Sequence, residues 1–359
     1  MRSRDARSRR RLLGPAALAA MLFVRGMVLA QTEPVAPNPL EIHLRNIRQL
    51  TFGGQNAEAY FSPDGRKLVF QSTRDSLKCD QIFMMNTDGS GMKLLSTGKG
   101  RTTCSYFMPD GGHILYASTH LAGDECPPKP DRKKGYVWSL YPSYDIFIAD
   151  TNGRTTSRLT SAPGYDAEAV VSPSGDKIAF TSIRSGDLEI YTMNTDGSNL
   201  RQLTHELGYD GGPFFSADGK KIVYRAYHPK TPKEVAEYND LLKEEKIKPL
   251  NLQIWVMDAD GSHKKQITDN TAANFAPFMH PDGKRIIFSS NMADTSKVPM
   301  NFDLYSILLD GTDLRRITFS ESFDGFPMFS PDGTHLVFAS GRNATSPWEI
   351  NIFLAEWKE

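Results

Sequence analysis

One five-residue signature recurs six times along the chain, and it restricts the fold more than any other feature. It reads Phe61-Ser62-Pro63-Asp64-Gly65, Phe107-Met108-Pro109-Asp110-Gly111, Val171-Ser172-Pro173-Ser174-Gly175, Phe215-Ser216-Ala217-Asp218-Gly219, Met279-His280-Pro281-Asp282-Gly283 and Phe329-Ser330-Pro331-Asp332-Gly333. The spacings are 46, 64, 44, 64 and 50 residues, so the short intervals give the unit and the long ones mark insertions. A period of this length is the mark of a repeat architecture.

Each copy has the same internal order. An apolar pair enters the turn, whose glycine supplies a positive φ. A short β-branched and aromatic strand follows, such as Lys67-Leu68-Val69-Phe70 or Arg285-Ile286-Ile287-Phe288. A second such strand comes after a loop, as in Gln81-Ile82-Phe83-Met84-Met85 or Gln253-Ile254-Trp255-Val256-Met257. Asp-Gly or Asn-Gly turns close five of these, at residues 88, 152, 196, 260 and 310. A last strand ends in Leu-Thr or a similar pair, such as Leu159-Thr160 and Ile317-Thr318. Four short antiparallel strands repeated six times predict an all-β, six-bladed β-propeller. The sixth copy stops after its third strand, while a spare strand, Ile47-Arg48-Gln49-Leu50-Thr51, stands at the other end. That strand is expected to complete the last blade and leave no open sheet edge.

The Ser-Pro-Asp-Gly turn, the apolar strand behind it and the Leu-Thr ending resemble the TolB-type propeller repeat over roughly residues 41–359. The resemblance implies fold rather than activity, because one fold hosts many functions. TolB also carries a separate N-terminal α/β domain. About ten residues lie between leader and first strand here, so the likeness is expected to concern the propeller alone.

Blade topology predicts which residues share a face. The tight turns fall on one side, and the longer loops, both within and between blades, on the other. The between-blade segments bring Glu58, Cys104, Asp166, Glu168, Asp210 and Asp324 to the loop face. The within-blade loops bring Arg74, His120, Arg184, His228, Met292 and Arg342 at equivalent positions. Taken singly, these charges read as loop caps and local ion pairs. Taken together, Arg74, His120, Asp166, Glu168, Arg184, Asp210, His228, Asp324 and Arg342 are expected to form a ligand-binding face, since loops on a rigid scaffold carry function.

Both insertions belong to that face. Residues 121–143 are stiffened by Cys126-Pro127-Pro128-Lys129-Pro130 and carry Tyr136, Trp138 and Tyr141. Residues 229–250 predict a helix in blade four. Thr231-Pro232-Lys233-Glu234 is a capping box, and Val235, Tyr238, Leu241 and Leu242 make an apolar stripe. The two insertions flank blade three and are expected to wall the entrance to the central funnel. The three cysteines, Cys79, Cys104 and Cys126, fall in adjacent loops. A disulfide is expected, Cys79–Cys104 first and Cys104–Cys126 second.

Residues 1–30 hold seven arginines and one aspartate, then an apolar run from Leu12 to Val24 and small residues before Gln31. This order predicts a cleaved export signal, and Ser8-Arg9-Arg10-Arg11-Leu12-Leu13 resembles a twin-arginine leader. Residues 31–40, with three prolines, read as an extended linker. Without residues 1–30, 35 basic and 41 acidic side chains remain, a net charge of −6. That excludes a strongly basic nucleic-acid binder, and no later apolar run is long enough to span a bilayer. The mature chain is expected in the periplasm or outside the cell.

Gly-x-Ser-x-Gly, phosphate-loop and His-Glu-x-x-His motifs do not occur. The expected function is therefore a non-catalytic binding or scaffold propeller for a protein, peptide or envelope glycan. The alternative is a metal-dependent enzyme. Some propeller-fold polysaccharide lyases hold a metal through clustered histidines. On that likeness His120 and His228 would bind a divalent ion in the funnel while an arginine holds an acidic sugar.

Overall fold

A computed structural model describes residues 32–131, 133, 135–296 and 301–359. The predicted leader lies outside these residues. The described chain forms six antiparallel sheets of the predicted kind around one axis. In blade 1 the order from the axis outward is Gln55–Phe61, Lys67–Thr73, Gln81–Asn86 and Lys93–Leu94. The inner strands of the other blades are Thr102–Phe107, Asp166–Val171, Tyr209–Phe215, Asn274–Met279 and Asp324–Phe329. The ring closes where the inner strands of blades 1 and 6 meet.

The signature turn is specified by its own side chains. The Ser62 hydroxyl donates to Asp64 at 2.6 Å and accepts from the backbone N–H of Lys67 at 2.9 Å. Ser216 and Ser330 repeat the arrangement. The Leu-Thr ending has an equally local cause. The Thr160, Thr204, Thr268 and Thr318 hydroxyls accept from backbone N–H groups of the neighbouring strand at 2.8–2.9 Å. In blade 6, Thr51 does the same for Ile352 at 2.8 Å. The outer strand Leu44–Gln49 pairs antiparallel with Asn351–Trp357, three residues earlier than the sequence placed it. The expected linker is not free: Glu33–Pro34 pairs with Arg48–Gln49, adding a fifth short strand.

Large second-strand aromatics fill the blades. Phe70, Tyr116, Phe180, Tyr224, Phe288 and Phe338 are all fully buried. Each fully buried aromatic contributes about 2–3 kcal/mol from apolar burial.

A second repeat concerns the axis. Every inner strand carries a bulge, seen as a register shift two residues into the strand. The residue there is left-handed in all six blades: Glu58, Cys104, Glu168, Gly212, Ala276 and Phe326, with φ between 48° and 59°. A bulge inserts an extra residue and re-aims its neighbours. It also explains a difference from the sequence reading. Asp166, Glu168, Asp210, Asp324 and Cys104 lie in inner strands rather than in loops.

Candidate functional site on the loop face

Three of the six bulge residues, Glu58, Cys104 and Glu168, are polar and belong to the adjacent blades 1, 2 and 3. Glu168 accepts from the Thr181 hydroxyl at 2.7 Å, the Gly212 N–H at 2.8 Å and the Tyr209 hydroxyl at 3.2 Å. It also pairs with the Arg225 guanidinium. Arg225 is buried and lies 5.2 Å from the Trp138 ring and 5.5 Å from that of Tyr209. Gly212 is required here on two counts: its φ is +59°, and a Cβ would collide with the Arg225 guanidinium. Burial pushes the Glu58 carboxyl up to about 7, with the Glu168 charge adding to it and Cys104 and Arg225 opposing. Burial, then the charges of Glu58 and Glu168, hold the Cys104 thiol well above its usual range. Such surroundings disfavour the thiolate, which is the reactive form of a cysteine. The sequence reading missed Arg225. It sits mid-strand among apolar residues, and that buried position was the available signal.

The six equivalent within-blade residues do not converge on the channel. Five of them, Arg74, His120, Arg184, His228 and Arg342, turn over the aromatics of their own blades. Arg74 lies 5.9 Å from the Phe83 ring, and Arg184 lies 5.2 Å from both Phe180 and Tyr191. Arg342 lies 5.3 Å from Phe338, and the His120 and His228 rings sit 4.4 Å from Phe147 and 5.3 Å from Trp255. Several then pair with the acid at the start of an inner strand. Arg184 donates to Asp166 at 2.8 Å, and Arg342 to Asp324 at 2.6 Å and Glu41 at 3.1 Å. Asp166, Asp210 and Asp324 are almost completely buried. This is the local pairing that each residue, taken singly, suggested.

The expected His120–His228 metal pair is not assembled. His120 accepts or donates at Nδ1 with the Ser118 hydroxyl at 2.9 Å. Burial, with Arg158 and Lys99 nearby, holds its imidazole below the usual value. His228 places Nε2 3.2 Å from both oxygens of Asp210. Burial pulls this imidazole down, but Asp210, Glu206 and Glu189 outweigh burial and raise it. The two histidines thus have separate, oppositely charged surroundings. The cluster that holds His228 contains Glu206 and Asp210, not His120.

The insertions meet above blade three. Trp138–Ser139 from the first pairs antiparallel with Lys246–Ile247 from the second. The helix spans Pro232–Lys243 with both capping-box bonds formed at Thr231 and Glu234. Its Tyr238 and Leu241 are buried, and Leu242 packs beside them. Tyr238 donates to Asp187 at 2.5 Å, tying helix to blade. Trp138, Leu140, Tyr238 and Ile247 share one apolar cluster with Tyr209, Phe275 and Phe326 at the channel mouth. The insertions therefore roof one side of the channel. Cys79 and Cys126 are bridged, with Cα atoms 6.0 Å apart, and Cys104 is free. This corrects the expected pairings: Cys104 lies on an inner strand, directed at the axis by its bulge, while the other two lie in loops.

The comparisons agree with this architecture. The TolB beta propeller domain family matches residues 130–246. The TolB homolog of Chlorobium chlorochromatii is 25% identical over 142 residues, covering 33% of this chain and 32% of the relative. The chain thus spans about a third of the length of the curated relatives it matches. The TolB structure from Agrobacterium tumefaciens superposes with a TM-score of 0.55 at 20% identity, covering 85% of this chain and 91% of that one. An oligogalacturonate lyase in complex with manganese superposes at 0.52 and 16% identity, covering 93% and 99%. At these identities the structural likenesses establish fold alone. Repeat grammar and six closed sheets make this chain a six-bladed β-propeller, and its residues 130–246 match the TolB beta propeller domain family.

Proposed function

We propose that the protein is an exported, non-catalytic recognition propeller whose loop face binds a protein, peptide or glycan of the cell envelope. The observation that carries this reading is the joined roof. Two insertions from separate blades pair through a small sheet, and the first is also anchored by the Cys79–Cys126 bridge. Such tethering holds a surface in one shape before a ligand arrives, which lowers the ordering cost of binding. The same face leaves large apolar side chains in solvent, among them Leu121 at 58%, Tyr136 at 48% and Trp348 at 71% exposure. Exposed aromatic groups on a rigid frame suit recognition. Among the described residues, no helix is long and apolar enough to cross a membrane.

Export follows from the leader, which fractionation of tagged protein checks: the processed form belongs in the periplasm or medium. The binding reading is tested by capturing envelope proteins, peptides and glycans on the purified propeller. A Tyr136→Ala/Trp348→Ala double variant is the comparison. A ligand retained by the native protein and lost by the variant supports it. New unsaturated product from a uronate polymer, abolished in His120→Ala, would replace it with the lyase reading.

A further inference from the structure

The position that opens the third strand of each blade shows where charge is balanced and where it is not. The residues are Gln81, Asp145, Glu189, Gln253, Asp303 and Asn351, all buried. Where this residue is acidic, blades 2 and 5 supply an arginine from the outer strand. Arg158 reaches Asp145 at 2.6 Å, and Arg316 reaches Asp303 at 2.8 Å. Both arginines also donate from Nε to the backbone oxygen of the threonine two residues on.

Blade 3 breaks this rule. Glu189 is as buried as its counterparts, at 3% exposure. The outer-strand residue at the position of those arginines is Gln202, which pairs with Tyr191 and whose Nε2 makes the same bond to the Thr204 oxygen but brings no charge. One oxygen of Glu189, Oε2, is buried without a hydrogen-bond partner. So is the hydroxyl of Tyr224, a fully buried residue of the next blade. Glu189, Asp210 and Glu206 all act electrostatically on Tyr224 and on His228. Asp187, beside them, is already held by Tyr238 and by the N–H groups of Leu188 and Gly208. The junction of blades 3 and 4 therefore gathers three further carboxylates around a single imidazole, with two buried polar atoms unpartnered.

We infer that the junction of blades 3 and 4 is a divalent transition-metal site, with Glu206, Asp210 and His228 as ligands and Glu189 in support. One ligand atom from each of the three lies within 4.8 Å of the other two. Metal–ligand distances of about 2.1 Å put two ligand atoms of one ion about 3–4 Å apart. The exposed Glu206 side chain closes that difference by swinging on its loop. Asp210 is fixed in its strand, and His228 is fixed over Trp255. One imidazole with carboxylates suits zinc or manganese better than calcium, which takes oxygen ligands only. The cation does for Glu189 what Arg158 and Arg316 do in their blades. It also clamps the loop between blades 3 and 4 to the base of the helical insertion. This site is independent of the binding reading proposed above.

The test is a calorimetric titration of the full processed chain, stripped with chelator, with Zn²⁺ alone. One saturable Zn²⁺ per chain is expected. Glu206→Gln alters an exposed side chain and should weaken binding at least about tenfold. Gln202→Arg writes the arginine of blades 2 and 5 into blade 3, so it should fold normally and also weaken Zn²⁺ at least about tenfold. His120→Ala should bind as the native protein does. Zn²⁺ at one fixed concentration should raise the thermal midpoint of the native chain and of His120→Ala equally, and that of the other two by less. Absence of saturable Zn²⁺ binding would overturn the site, as would native affinity in both Glu206→Gln and Gln202→Arg.

Discussion

The two faces of the propeller use their acidic residues in opposite ways. On the turn face, Asp64, Asp88, Asp196, Asp260, Asp310 and Asp332 all have carboxyls held below the usual range. In each, a neighbouring serine or threonine hydroxyl is the leading cause, backed by a backbone N–H. On the loop face, Glu58, Asp145, Asp187, Asp303 and Asp324 are all raised, and burial is the leading cause in each. The turn face therefore specifies the fold with charges that water and local donors satisfy. These five loop-face carboxyls cost stability when charged and must be held by specific partners, whereas Glu349 on the same face is held down by hydrogen bonds from Asn351, Thr345 and Gly53. Groups kept at such a cost mark functional surfaces.

The comparison is broken most strongly by removing a partner from the loop face. Arg225→Ala should cost about 3–5 kcal/mol, because it leaves Glu168 buried without its counter-charge. Urea unfolding of the two proteins measures it, and a loss under about 1 kcal/mol would show that the channel is wet enough to need no arginine.

The next effect is covalent. Cys126→Ser opens a bridge between residues 47 apart and should cost about 2–4 kcal/mol, whereas Cys104→Ser should stay within about 1 kcal/mol. Unfolding under non-reducing conditions separates them. Equal losses would return Cys104 to the bridge.

Glu58→Gln sharpens the sign. The folded protein holds the Glu58 proton up to about 7, against the usual 4.5. Stability from this group is thus present at acid pH and lost as pH rises through about 7. The variant should be more stable than the native chain at pH 8, by on the order of 1–3 kcal/mol, and equal to it below pH 4.5. Stability curves against pH read this directly.

The smallest effect belongs to the turn face. Asp332 sits at about 2, depressed from 3.8, so its contribution is present above 3.8 and lost as pH falls through about 2. The group is exposed, and Asp332→Asn should cost less than about 1 kcal/mol at pH 7. A larger loss would make the turns, rather than the loop face, the sensitive region.

What the sequence disclosed follows the same division. The six turns, the Leu-Thr endings and the capping box at Thr231 are local bonds between residues a few positions apart, and their spelling reveals them. The loop face depends on where distant segments end up. Nothing in the spacing of Cys79, Cys104 and Cys126 shows that a bulge directs the middle one to the axis. Nothing in Trp138–Ser139 shows that it pairs with Lys246–Ile247, some hundred residues later. His120 and His228 were correctly placed as equivalents, yet equivalence sends each over its own blade's aromatic rather than to a shared centre. The imbalance at Glu189 was legible in principle: aligning the repeats puts Gln202 where blades 2 and 5 have arginine.

Residue-resolved titration of the carboxyl groups by NMR tests the central contrast most directly. The account predicts that Asp88, Asp196, Asp260, Asp310 and Asp332 titrate below the ordinary aspartate value. Glu58 should titrate near 7 and Asp303 near 6. Two overlapping sets, both in the ordinary range, would contradict the division of the molecule into a satisfied face and a charged, functional one.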